Sequence, residues 1–310
     1  MRILITGGTG FLAKNIIPVL SKYEVFAVGS KDYDLLDSYQ CDLMFDNIRP
    51  DYVLHLAAKS GGILSNKQYP ADFWYQNMLI TGNIWEYSKR YMPKKLIVVV
   101  PGCTYPSNAP VPVVENSMWD GFPDLYPAPG ALAKKMSITA SYAYKQQYGL
   151  NSTIVIPANA YGINDLFDEV HSHVIPALML KVHKAKQENL KEITFWGTGK
   201  AIRDFIYAED IANCIPYFIE NEIKFASENP CLENVCNVST GIGTSIKELA
   251  ETIVKIVGYH GNVNWDISKP DGPANKTFSN VRMKSLGLKC ETTIEEGIRR
   301  TYEWFQKKLA

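Results

Sequence analysis

The 310 residues, 46% apolar and 12% aromatic, suffice for one large two-lobed domain or two closely packed ones with real cores. Thirty-two basic residues balance 32 acidic ones, which argues against a coat for nucleic acid or an anionic membrane, so an anionic ligand must be met by local groups. No run approaches the ~18 apolar residues that span a bilayer, and six cysteines without CxxC spacing suit reduced thiols in the cytoplasm, with no structural metal.

In chain order, MRILITGG passes from a short apolar strand straight into glycines, without the longer apolar stretch of a signal peptide. RILIT, EVFAV, YVLHLA, KLIVVV and STIVIP are β-branched runs, each followed by a longer amphipathic or alanine-rich segment. That alternation predicts a doubly wound parallel sheet with right-handed crossovers. Residues 70–91 and 130–148 read as long helices with aromatic and alanine faces. Beyond about residue 160 the rhythm loosens: 171–187 reads as a helix, ITFWG as a strand, 209–221 as a helix, CNVST as a strand, and 245–257 and 292–306 as helices. The expectation is an α/β fold, a Rossmann-type doubly wound parallel sheet over residues 1–160, with 205–238 returning to it. Residues 161–204 and 239–310 are expected to form a smaller C-terminal substrate-binding lobe over the sheet's carboxyl edge, where open α/β sheets bind ligands.

In ITGGTGFLAKN the first strand ends in Gly7-x-x-Gly10-x-x-Ala13 and runs into a helix. Gly7 permits the tight turn, Gly10 lets a diphosphate approach the backbone, and Ala13 allows close helix–strand packing, so a dinucleotide is expected there. EVFAV ends in Gly29-Ser30-Lys31, where an NAD site carries an acid for the ribose 2′-hydroxyl. A hydroxyl and a cation suit a 2′-phosphate instead, which favours NADPH, and Asp37 is expected near the adenine.

Six further segments carry a more specific signal: HLAAKSGG (55–62), YPADFWYQNMLITGNI (69–84), PANAYG (157–162), SHVIPAL (172–178), WGTGKAIRDFIYAEDIA (196–212) and SKPDG (268–272). In order and spacing they resemble the GDP-L-fucose synthases, extended short-chain dehydrogenase/reductases, over nearly the whole chain. The resemblance implies a GDP-4-keto-6-deoxy sugar as substrate, epimerised at the carbons flanking the ketone and reduced at C4 with NADPH. It also implies cofactor contacts from Thr9, Phe11 and Leu12, from Leu56, Ala57, Ala58 and Lys59, from Gly102, from Pro157, Asn159 and Ala160, and from Lys134 and His173.

The family reduces with a Ser, a Tyr and a Lys, the last two in a YxxxK motif. Matched without a gap through QYG at 147–149, PAPGALAKK puts the lysine on Lys134 and the tyrosine on Gly130. VVVPGCTYP puts Pro101-Gly102 where the family has serines, and keeps its cysteine as Cys103. Reduction leaves negative charge on the ketone oxygen, which needs a donor. General acid catalysis is worth roughly 3 to 5 kcal/mol, whereas holding donor and acceptor together is worth about 7 to 11 kcal/mol. Losing the phenol is therefore expected to slow reduction without abolishing it. Four replacements stand open: Cys103, His173, water polarised by Lys134 in the space beside Gly130, and Tyr126, with Tyr105 either donor or lid packing. Cys103 and His173 resemble the family's acid/base pair for proton transfer beside the ketone.

Lys181, Trp196, Arg203, Lys269 and Asp271 match family positions that contact the nucleotide sugar, and Arg203 suits bidentate binding of a diphosphate. The two long helices pair across a two-fold axis in resembling proteins, which predicts a homodimer. The leading expectation is an NADPH-dependent C4 reductase of a GDP-4-keto hexose or heptose with an altered proton donor. Its alternatives are a GDP-4-keto-sugar epimerase without net redox and a non-catalytic NADPH-binding partner.

Overall fold

Alternating β-branched strands and amphipathic helices build the first half of the chain. In the computed structural model, which describes residues 1–168, 172–269 and 271–309 (63 and 64 by backbone alone), they are β1 (Arg2–Thr6), α1 (Phe11–Ile16), β2 (Glu24–Val28), α2 (Ser38–Ile48), β3 (Tyr52–His55), α3 (Ile63–Gln68), α4 (Pro70–Tyr91), β4 (Lys95–Val99), α5 (Ala128–Tyr148) and β5 (Ser152–Pro157). The second half runs β6 (Asn159–Tyr161), α6 (Val174–Gln187), β7 (Glu192–Trp196), β8 (Ile202–Tyr207), α7 (Ala208–Glu220), β9 (Val235–Val238), β10 (Gly243–Ser245), α8 (Ile246–Val257), β11 (Asn262–Asp266), β12 (Asn275–Lys276), α9 (Val281–Ser285) and α10 (Ile294–Leu309).

Six strands form one parallel sheet in the order β2-β1-β3-β4-β5-β9. Its central strands are unbroken apolar runs such as Ile3-Leu4-Ile5 and Leu96-Ile97-Val98, fully buried because helices cover both faces. A second sheet joins β10, β8 and β12, with β6 pairing β8, and β7 pairs with β11. A separate apolar core, including Ile175, Met179, Val182, Leu249, Ile253 and Phe305, fills the space among α6, α8 and α10.

Helix ends follow local chemistry. Asp37 caps α2 by accepting from Tyr39 N at 2.8 Å. Ser245 and Glu248 close a capping box on α8, and Gly258 ends that helix at φ +72°. Several helix boundaries differ from the sequence expectation. Helix α5 begins at Ala128 rather than 130. Pro129 lies in the first turn, where a missing N–H costs no intrahelical bond. Helix α6 begins at Val174 with His173 as its N-cap, while residue 171, the expected start, lies outside the described residues, as does Pro270 of SKPDG. Strands β6, β8, β10, β11 and β12 are absent from the sequence reading; β6, β10 and β12, of two or three residues, are too brief to show a period of two.

The two halves meet at Asp204 on β8, which is fully buried. Its Oδ1 accepts from Thr240 Oγ1 at 2.6 Å and Thr240 N at 3.3 Å, and its Oδ2 accepts from Gly241 N at 3.1 Å and Phe278 N at 3.3 Å. Its carbonyl accepts from Asn159 Nδ2 at 2.8 Å. Burial pushes this carboxyl above the usual carboxylate range, although the donors hold it down. Asp204→Ala removes the acceptor of three N–H groups, that of Phe278 buried, so we expect a loss of about 1 to 3 kcal/mol in urea unfolding. Asp204→Asn, which keeps an acceptor oxygen, is expected to lose less.

Candidate active site

The glycine loop lies between β1 and α1. Gly7 has φ +71°, and a Cβ on it would come within 2.9 Å of Ala57 N, so only glycine lets the end of β3 approach this closely. Gly10 N donates to Gly7 O at 2.9 Å, and no side chain caps the start of α1. The N–H groups of that turn are therefore free of side-chain competition, as a diphosphate requires. Thr9 packs against Gly29, while Ser30 and Lys31 are exposed. Asp32, which the sequence reading passed over, turns back to accept from Gly29 N at 2.8 Å. Asp37 serves as the cap of α2. These residues fit a nicotinamide dinucleotide carrying a 2′-phosphate.

The loop after β3, which carries Leu56, Ala57, Ala58 and Lys59, is fastened from both sides. Leu56 N donates to Thr6 O at 3.2 Å. Asn77 of α4 accepts from Lys59 N and donates to Lys59 O, both at 3.0 Å.

Lys134 is 3% exposed. Its Nζ donates to Ala57 O at 3.1 Å and lies 3.1 Å from His55 Nε2. His55 Nδ1 lies 2.8 Å from Thr6 Oγ1. Burial pushes the Lys134 amine down to about 7. Burial also holds His55 well below the usual imidazole range, reinforced by the Lys134 charge. The imidazole is therefore neutral and its Nε2 accepts from the lysine, which assigns the ring proton to Nδ1 and the Thr6 hydroxyl as its acceptor. Lys135 points elsewhere, with its Nζ 4.5 Å from the centre of the Trp119 ring.

Two positions without side chains border this region. A Cβ on Gly130 would lie 3.3 Å from Asn77 Nδ2 and 3.5 Å from Phe73 Cδ1. A Cβ on Gly102 would come within 2.7 Å of Phe278 Cζ, so that ring fills the space any side chain there would need.

Past Gly102, the short helical turn Gly102–Thr104 carries Cys103. Burial pushes its thiol up, opposed chiefly by the charge of Lys276. Lys276 Nζ lies 3.3 Å from Asp124 Oδ2. Lys276 is in register with Arg203 on the neighbouring strand, which sets two cations side by side. Burial works against the Arg203 charge, while Asp124 and Asp271 support it. One Arg203 nitrogen, Nη1, is spent on Ile202 O at 2.8 Å and Pro273 O at 2.7 Å. Asp271 accepts from Thr198 N and Oγ1, both at 2.6 Å. Beside it Trp196 is 66% exposed, with Lys269 Nζ 5.9 Å from the indole centre. The result is one charged track from thiol to exposed indole. Lys181 stands apart and donates to Thr194 O.

Other candidates fall elsewhere. Tyr105 is fully buried, donates to Asn237 Oδ1 at 2.6 Å and packs on Phe278, so it is packing rather than a donor facing the cleft. Tyr126 is 48% exposed beneath Lys67 Nζ, 5.5 Å from its ring centre. His173 is exposed at the start of α6, near the buried Asp165, whose carboxyl burial pushes up to about 6 against the pull of the imidazole. Pro157 and Ala160 flank Asn159 at the end of β5 and on β6.

The sequence reading missed His55, Asp124, Asp165 and Lys276. His55 stands inside HLAAKSGG, so its segment was visible and its partner was not. Asp124 and Lys276 are 152 positions apart, and no local pattern joins them.

The profile of the NAD dependent epimerase/dehydratase family matches residues 3–228. GDP-L-fucose synthase of Escherichia coli K12 is 37% identical over 309 residues, covering 98% of this chain and 96% of its own. A GDP-6-OMe-4-keto-L-xylo-heptose reductase from C. jejuni superposes with a TM-score of 0.91 at 28% identity, covering 99% and 98% of the two chains. A GDP-L-fucose synthetase from Naegleria fowleri, bound to NADP, superposes at 0.87 with 30% identity, covering 99% and 94%. By the length and identity of these matches, the chain belongs to the GDP-L-fucose synthase group of the NAD dependent epimerase/dehydratase family.

Proposed function

We propose that this chain is an NADPH-dependent reductase of the C4 ketone of a GDP-4-keto sugar, a 6-deoxyhexose or a related heptose. The observation that carries the reading is the track from Cys103 through Lys276, Asp124 and Arg203 to Asp271 and Trp196. It offers a thiol at the sugar end, paired cations for a diphosphate and an exposed aromatic plane for a base. The names of the E. coli and C. jejuni relatives agree on GDP-sugar chemistry.

When bound, NADPH supplies a hydride for C4. On this reading Gly7, Thr9, Gly10, Phe11 and Leu12 take its diphosphate and Ser30 with Lys31 its 2′-phosphate, since Asp32 is turned back on Gly29. Residues 1–160 with 205–238 act as the cofactor unit, and 161–204 with 239–310 as the sugar unit. Lys181 and Lys269 add charge at the nucleotide end, and His173 with Cys103 handles protons beside the ketone.

A second reading, epimerisation without net redox, draws on Gly130 and Gly102, where neither family hydroxyl is present. A homodimer completes the proposal. Trp74, Tyr75, Met78, Met136 and Tyr142 are exposed on α4 and α5, beside an apolar cleft of about 340 Å³ lined in part by Trp74, Phe122, Leu125 and Leu132. A second copy laid on these helices would cover that face.

With a panel of GDP-4-keto hexoses and heptoses, NADPH absorbance is expected to fall for at least one member. Bound NADPH with no oxidation across the panel overturns the reading, and deuterium uptake at C3 or C5 without oxidation selects the epimerase. Arg203→Met and Lys276→Met are each expected to raise KM by roughly tenfold or more while changing kcat less, as lost uniform binding does. Sedimentation equilibrium is expected to give twice 34.8 kDa for the wild type, and the single mass for Trp74→Glu/Met136→Glu. Gly102→Ser is expected to lose about 1 to 3 kcal/mol by overpacking against Phe278, recovered in the Phe278→Leu background.

A further inference from the structure

Taking the reductase reading as its base, we infer that Lys134 itself gives the proton to the C4 oxygen, through one water beside Gly130, and that His55 is the positioning residue that holds the amine for this task. An ammonium has three donors. Among the described residues, His55 Nε2 and Ala57 O take two, each at 3.1 Å, which leaves one unspent. Gly130 precedes Lys134 by one helical turn on the same face and carries no side chain, so no phenol stands at that position. Two hydrogen bonds through a water span about 5.6 Å, the reach this step requires between Lys134 Nζ and the C4 oxygen.

The surroundings make a lysine competent as an acid. Its charge is disfavoured by burial, which brings the amine to about 7, so it surrenders a proton near neutral pH far more readily than an exposed lysine. His55 meets it from β3, neutral and accepting, with Thr6 of β1 behind the ring. Helix α4 brings the uncharged Asn77 and Phe73 to this turn of α5, while its Glu86, Lys89 and Arg90 sit at the other end, near Tyr148. The turn after β4 brings Cys103, whose thiol burial keeps protonated. No carboxylate contact to the amine occurs among the described residues.

In the step, hydride adds to C4, the carbonyl π pair moves onto oxygen, and that oxygen takes a proton from the bridging water. The water in turn takes one from the Lys134 ammonium. An N–H bond breaks, an O–H bond forms, and the neutral amine regains its proton from solvent.

The test begins with cofactor-free protein labelled with 13C-lysine, the Lys134 Cε signal being identified by its loss in Lys134→Arg. The signal is expected to titrate near 7, and His55 to stay neutral with its proton on Nδ1 by 15N shifts. His55→Leu removes an acceptor of the charged form, so the midpoint is expected to fall by about one unit, the worth of a hydrogen bond to a charged group. His55→Gln, which keeps an acceptor, is expected to recover most of that shift, with circular dichroism confirming the fold of both. In the holoenzyme, single-turnover reduction is expected to decline tenfold per pH unit above the Lys134 midpoint, and the decline to move with it in His55→Leu. Lys134→Gln is expected to lose about 10²- to 10⁴-fold. A reductase whose Lys134 titrates above 10, or whose rate profile stays fixed while the Cε midpoint moves, overturns the inference alone. A near-neutral, His55-dependent Lys134 in a protein that reduces no GDP-4-keto sugar overturns the reductase reading, and the acid role with it.

Discussion

Asp204 is the tie on which the geometry of the cleft depends. One buried carboxylate accepts from the chain that follows β9, at Thr240 and Gly241, and from the chain that follows β12, at Phe278. Its own carbonyl receives Asn159. The sheet that carries the glycine loop and the strands that carry the cations are thus fixed to a single residue. Arg203 precedes it directly, Lys276 is held two residues before one of its donors, and Phe278 is pressed on Gly102. A carboxylate paired with a single cation would hold two elements; one with four donors holds three segments at once. Burial opposes its charge, so the arrangement persists only while every donor stays in place.

Lys134 shows the reverse economy. Its ammonium is buried with two neutral acceptors and no counter-charge among the described residues, so helix α5 is joined to the end of β3 by a group that resists being charged. The sign follows: a lysine whose folded value lies below its unfolded value opposes folding while protonated, and stability rises as pH climbs from the folded value toward the unfolded one. A site that keeps such a residue spends stability on its chemistry.

Much of the fold was legible because it rests on repeating local patterns. Ile3-Leu4-Ile5 is apolar on both faces since helices cover both, and Gly7 announces a turn that no other residue could make against Ala57. What escaped was non-local. His55 was part of a quoted segment, yet its role comes from Lys134, 79 positions away. Asp124 and Lys276 are isolated charges until β12 aligns with β8. Tyr105 looked like a candidate donor in CTYP because a phenol near a strand end is catalytic chemistry in sequence; its bond to Asn237 and its packing on Phe278 make it core. The start of α5 was misjudged for a simpler reason, since proline breaks helices in the interior and begins them in the first turn.

The two glycines matched to family hydroxyls, Gly102 and Gly130, differ in what surrounds them. At Gly102 the limit is steric, because the Phe278 ring stands where a Cβ would go. At Gly130 a Cβ meets Asn77 and Phe73 at distances that small shifts would relieve, so space alone does not forbid a side chain. On the proposed reading, the missing phenol is therefore a chemical change rather than a packing necessity. The glycine loop and the strands that carry Arg203 and Lys276 are set by backbone and by the Asp204 tie, neither of which involves residue 130. Positioning is worth about 7 to 11 kcal/mol, and a general acid roughly 3 to 5 kcal/mol. An acid can thus be exchanged in such a site while the larger contribution stays untouched, provided another group with a depressed proton affinity lies within one water of the oxygen. Lys134, held by two neutral acceptors and brought to about 7 by burial, is the group we propose for that part.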